Sequence, residues 1–117
     1  MDETNPQAFL PLHNNWFHIL ASLVGSEQHG YGIMQEVLER TGGSVRIWPA
    51  TLYGVLQRMI AEGLIVESDE RPAPELDDAR RRYYKLTRLG RQVLDLECER
   101  LRDMLRMVQK KRRQEAY

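Results

Sequence analysis

The chain has 117 residues, 42% hydrophobic and 29% charged, with 17 Lys/Arg against 17 Asp/Glu and one cysteine. That length suits one domain with a modest core, no apolar run is long enough to span a bilayer, and the acidic, polar start Met1-Asp2-Glu3-Thr4-Asn5 is unlike a secretory leader. The lone Cys98 excludes an internal disulfide and fits a reducing cytoplasm, the expected location.

The zero net charge conceals a polarity. Residues 1–79 carry 4 Lys/Arg and 12 Asp/Glu, a balance of −8, and residues 80–117 carry 13 and 5, a balance of +8. The C-terminal third is therefore the side expected to face phosphate, although a solvated basic helix would show the same charge.

Across residues 9–24, Leu12, Trp16, Ile19, Leu20 and Leu23 recur at helical spacing and predict an amphipathic first helix, ended by Gly25-Ser26. A second helix is expected over 30–41, with Ile33, Met34, Val37 and Leu38 inward. Gly42-Gly43 stops it, because glycine accepts the left-handed backbone of a helix terminus. Residues 44–48 alternate weakly and read as a short strand.

A third helix begins at Pro49, whose fixed φ suits a first turn and holds Trp48 out of helical geometry. Its buried side is Leu52, Val55, Leu56, Met59 and Ile60. The opposite side is Ala50, Gly54, Gln57 and Ala61, small residues where solvent-facing helices usually carry Glu and Lys. Glycine inside a helix costs about 1 kcal/mol relative to alanine. Such a face fits a backbone that approaches a large surface closely, and duplex DNA is the favoured surface. Gln57 is the candidate reader of a base edge, since its amide can pair twice with adenine. Thr51, Tyr53 and Arg58 carry groups suited to phosphate. Tyr53 could equally pack in the core with its hydroxyl at the rim, and Arg58 could pair with Glu62 four residues on.

Gly63 ends this helix and Leu64-Ile65-Val66 begins a strand. The loop 68–79 is polar and holds Asp69, Glu70, Glu75, Asp77 and Asp78, so its tip is expected to turn from a phosphate backbone or stay disordered. The next strand carries Arg80, Arg81, Arg82 and Lys85 for phosphate, with Tyr84 and Leu86 packed inward. Helix, strand, loop and basic strand in that order describe a winged helix-turn-helix, mostly α with a small β-wing.

Thr87 can cap a last helix running to about residue 113, about 40 Å at 1.5 Å per residue. Leu89, Val93 and Leu96 can pack on their own domain. Leu94, Cys98, Leu101, Leu105 and Val108 repeat at four and three, the seam of a helix that packs on another helix, and Met104 and Met107 widen it. With little of the domain near enough to cover that seam, the simplest partner is a second copy, joined by Trp16 of the first helix. The expected division is 1–87 for DNA binding and 88–117 for dimerisation. The ending Lys110-Lys111-Arg112-Arg113 suits the negative end of a helix dipole.

The motifs together resemble the PadR family of bacterial transcriptional regulators, in its short form with a single C-terminal dimerisation helix. The matching residues are His29-Gly30-Tyr31, Thr51-Leu52-Tyr53, Gly63-Leu64-Ile65 and Arg81-Arg82-Tyr83-Tyr84-Lys85-Leu86-Thr87. Two positions depart from the family's pattern: Ala50 where it usually has Gly, and Arg88 where it often has Pro. The resemblance covers roughly residues 9–110. It implies a homodimeric repressor on an inverted-repeat operator, with two recognition helices about 34 Å apart. It also implies a small aromatic effector near the dimer interface, for which Trp16, Met104 and Met107 are the candidate residues; ordinary interface packing explains them as well.

No chemistry competes with this expectation. His13 and His18 fall on different sides of a helix and no carboxylate or thiol cluster completes a metal site. No nucleophile elbow, phosphate-cradling glycine loop or paired catalytic carboxylates appear, so neither an enzyme nor a cofactor is expected. The rival expectation is a winged helix that binds another protein, favoured by the acidic first two-thirds.

Overall fold

The computed structural model describes residues 5–68 and 82–116. A 3-10 turn, Pro6–Phe9, precedes α1 (Asn14–Ser22), β1 (Gln28–His29), α2 (Gly30–Arg40), α3 (Pro49–Ala61), β2 (Ile65–Ser68), β3 (Tyr83–Leu86) and α4 (Arg88–Glu115). The chain is thus mostly helical, with one small antiparallel sheet in the order β1-β3-β2. No helix among the described residues is long and apolar enough to cross a membrane.

The first helix starts later than its apolar spacing suggests, at Asn14. Pro11 lacks an amide donor, and Leu10 before it is extended at φ −93° and ψ 147°. The His13 ring caps the new start by accepting the Asn15 N–H at 3.1 Å. The expected strand over 44–48 does not form. The third strand is instead Gln28–His29, which pairs Gln28 with Tyr84 and His29 with Tyr83. Two residues are too few for alternation to reveal.

Stops fall where glycine permits them. Gly43 at φ +86° returns its N–H to the Leu38 carbonyl, and Gly63 at φ +80° turns the chain from α3 toward β2. The Gly63 N–H likewise bonds the Ile60 carbonyl at 3.1 Å, and each bond satisfies a carbonyl that a helix end would leave unpartnered.

The core is one cluster. Ile19, Leu20, Ile33, Leu52, Leu56, Met59, Leu64, Ile65 and Val93 are fully buried at its centre, drawn from every long helix and from β2. Each such side chain contributes roughly 1.5–3 kcal/mol of apolar burial. The start of α4 belongs to this core. Thr87 Oγ1 caps the Gly90 N–H at 3.0 Å and donates to the Gly63 carbonyl at 2.6 Å, so Arg88 in place of proline leaves the cap intact. Leu94 is 6% exposed, closed within its own chain. Glu97, 2% exposed, accepts the Leu12 N–H at 3.0 Å and an Arg100 N–H at 2.9 Å, tying the N-terminal segment to α4.

Packing changes at Arg100. From Leu101 to Ala116 every residue is exposed, and the molecule extends 62 Å along its longest axis.

Candidate nucleic-acid interface

The third helix presents Ala50, Thr51, Tyr53, Gly54, Gln57, Arg58 and Ala61 to solvent while Leu52, Leu56 and Met59 anchor it. Gly54 lies in mid-helix, and a Cβ built there meets nothing within 4 Å. The glycine is therefore not required by the fold of this chain. Its helical cost goes uncompensated inside the protein.

Tyr53 packs at the rim of the fold and stays accessible. Its phenol lies against Gly30 at the start of α2, where a Cβ would come within 2.6 Å of the hydroxyl, yet the residue remains 47% exposed. Gly30 of the His-Gly-Tyr motif is thus the seat for Tyr53. The His29 ring caps the same turn, accepting the Gly32 N–H at 3.0 Å, and meets Tyr83 edge-on at 5.2 Å.

Arg58 is placed differently. Its guanidinium lies 5.5 Å from the centroid of the Trp16 ring, on the flank of α3 that faces α1. The two residues line an open cleft of about 330 Å³ with Phe9, Leu12, His13 and Glu62. Met104 and Met107 are not among its lining residues. Trp16 therefore shares a cleft with α3, apart from those methionines.

In the wing, β2 and β3 pair Ile65 with Leu86, Val66 with Lys85 and Glu67 with Tyr84. Tyr84 and Leu86 turn inward as the alternation predicts. Tyr83 is buried too, at 7%, because β1 and the His29 ring cover the face it shares with Lys85. Burial raises the Tyr84 hydroxyl pKa first, with Glu67 and Tyr53 adding to it and Arg82 opposing. Lys85 is exposed. Arg82 is exposed as well, and its Nη1 donates to Glu67 Oε1 at 3.0 Å. Such an exposed pair is weak, so phosphate can compete for Arg82. Arg80, Arg81 and the acidic loop 69–79 lie outside the described residues.

The structure thus brings Thr51, Gly54 and Gln57 onto one exposed helix and leaves Lys85 and Arg82 exposed on the wing. On α4, Cys98 is half-buried, whereas Leu101 (40%), Met104 (48%), Leu105 (54%), Val108 (47%) and Met107 (70%) are exposed. Sequence reasoning passed over Arg46 and Trp48. Trp48, 62% exposed, carries the Arg46 guanidinium 5.1 Å from its ring centroid just ahead of α3. The alternation Arg46-Ile47-Trp48, apolar only at its centre in burial, was the available signal.

Comparison with known proteins agrees with this architecture. Residues 19–96 match the model of the transcriptional regulator PadR-like family. The chain is 38% identical over 91 residues to the transcriptional regulator Rv3488 of Mycobacterium tuberculosis, covering 78% of each chain. A PadR family transcription regulator from Clostridium difficile superposes with a TM-score of 0.67 at 27% identity, covering 81% of this chain and 94% of that one. PadR of Bacillus subtilis, solved in complex with operator DNA, superposes at 0.60 with 24% identity, over 73% of this chain and 46% of that one.

Proposed function

The chain belongs to the PadR-like family of transcriptional regulators, and from that premise we propose that it represses transcription as a homodimer bound to an inverted-repeat operator. The observation that carries this proposal is the exposed α3 face of Ala50, Gly54, Gln57 and Ala61, where a helix-weakening glycine has open space above it. A major groove would take that face, with Gln57 on a base edge and Thr51 and Tyr53 on phosphate. Arg80, Arg81, Arg82 and Lys85 would hold the adjoining backbone. Arg58 would reach phosphate only by leaving the Trp16 ring.

In this proposal residues 1–87 bind DNA and residues 88–117 dimerise. Leu101, Leu105 and Val108, with Cys98 at the inner end and Trp16 alongside, form the dimer seam, whereas Leu94 is buried in its own core. A small aromatic effector would act by favouring a separation of the recognition helices that does not match successive grooves; Met104 and Met107 on α4 are exposed candidates for it, and Trp16 offers a separate cleft beside α3.

Charge reversal at Arg81 and Arg82, read by titration against labelled duplex DNA, tests the wing. The double variant should fold as the parent does and lose DNA binding. Normal binding by it would remove the wing from the interface. The Arg82–Glu67 pair and the acidic first two-thirds favour a second reading, a winged helix that binds protein. Affinity for duplex DNA that falls steeply with salt would exclude that reading, because phosphate contacts release counterions.

A further inference from the structure

The segment between α2 and α3 presents an aromatic-cationic pair that the helix-and-wing interface leaves unused. Val45 is tied to the end of α2 by Thr41, whose Oγ1 accepts the Val45 N–H at 3.1 Å while donating its own proton to the Val37 carbonyl at 2.8 Å. The extended backbone then alternates: Ile47 is buried at 3%, and Arg46 and Trp48 on either side are exposed. Their side chains emerge together, with the guanidinium over the indole at 5.1 Å. Trp48 is 62% exposed, a large apolar surface to leave in water at a fixed position. Its place is the N-cap of α3, where no side chain caps the helix.

We infer that Arg46 and Trp48 form a third contact with duplex DNA, clamping the sugar–phosphate backbone at the entry of α3 into the groove. The inference rests on the DNA-binding proposal and deepens it. Arg46 supplies a guanidinium for a phosphate oxygen, prevented from collapsing onto the acidic body by its stacking on the indole. Trp48 supplies an apolar surface for deoxyribose and an Nε1–H for phosphate. DNA is the favoured occupant because the pair is cationic in a part of the chain that is otherwise acidic, and because it continues directly into the Ala50–Gly54–Gln57 face. The contact reads no base. It fixes how far the helix enters, a positioning role.

Phosphate contacts are independent of sequence, so a labelled mixed-sequence duplex is a sufficient probe. Wild type, Arg46→Gln and Trp48→Ala are titrated between about 50 and 200 mM salt. One lost phosphate contact lowers the slope of log affinity against log salt by about 0.9, so the advantage of wild type over Arg46→Gln should shrink about 3.5-fold over that range. Trp48→Ala should lose affinity on the order of tenfold, mostly independent of salt, as expected for lost apolar contact. Both side chains are exposed, so melting temperatures should match the parent. Wild-type slope and affinity in both variants, beside a parent that binds, would overturn the clamp alone. A parent that fails to bind duplex DNA would overturn the clamp together with its premise. If Trp48→Ala altered self-association in sedimentation and left DNA affinity unchanged, the pair would be a protein contact and the inference wrong.

Discussion

Substitution of Gly54 separates what the fold needs from what the proposed groove needs. The residue sits in mid-α3 and is exposed, and a Cβ added there meets no atom within 4 Å. Gly54→Ala therefore introduces no clash and removes backbone freedom from the unfolded chain, a gain of about 1 kcal/mol. For a chain of this size that corresponds to roughly 4 °C in melting temperature. Against DNA the sign reverses. A methyl forced into an already packed contact costs about 1–3 kcal/mol, which is a five- to 150-fold loss of affinity. Gly54→Leu extends the series, because leucine is nearly as good a helix former as alanine but far larger. Thermal melts and duplex titrations on the same three proteins should show both variants more stable than the parent, with affinity falling as the side chain grows. Variants that are stabilised and still bind like the parent would refute the close approach of α3 to DNA.

Other substitutions test the supports of that helix. At Gly90 a Cβ would land on the Leu64 carbonyl oxygen and within 3.0 Å of its carbon, so Gly90→Ala must push α4 away from the Gly63–Leu64 turn ahead of β2. Overpacking together with a weakened Thr87 cap should cost about 2–4 kcal/mol, read as a lower urea midpoint; an unchanged midpoint would contradict that packing. Arg100 bonding, and then the Leu12 N–H, lower the Glu97 pKa against the opposing effect of burial. A lowered folded value means the stabilisation is full above the unfolded value near 4.5 and disappears as pH falls through the folded one. Glu97→Gln should therefore lose stability at neutral pH and show a shallower acid decline than the parent in denaturant titrations. Leu105→Glu, at a residue 54% exposed in the single chain, should leave the domain folded and yield monomers in sedimentation, with DNA affinity falling in parallel.

Strong local signals made much of this molecule legible in its sequence. Pro49 and Gly63 bracket α3, Gly42-Gly43 closes α2 and Thr87 opens α4, because each residue's own stereochemistry sets a boundary. Non-local partners decided the rest. The apolar period over 9–24 suggested a helix throughout, but Pro11 delays it to Asn14, and Phe9 and Leu12 pack from outside the helix. The Gln28–His29 strand exists only because β3 lies beside it, which also explains the burial of Tyr83. Arg58 lacks any spacing signal that would place it over Trp16. Nothing local in the sequence marks Glu97 for burial, because its partner, the Leu12 amide, is 85 residues away. Across the candidate interface, residue type named the groups suited to phosphate, and tertiary packing decided which of them remain exposed.

Selection of bound sequences from random duplex DNA, followed by titration of the winners at two salt concentrations, tests the central proposal most directly. The proposal predicts an enriched inverted repeat whose half-sites lie about one helical turn apart, bound with an affinity that falls steeply as salt rises. A selection that enriches no sequence, or one whose winners are single half-sites bound by monomers, would contradict a dimeric operator-binding regulator.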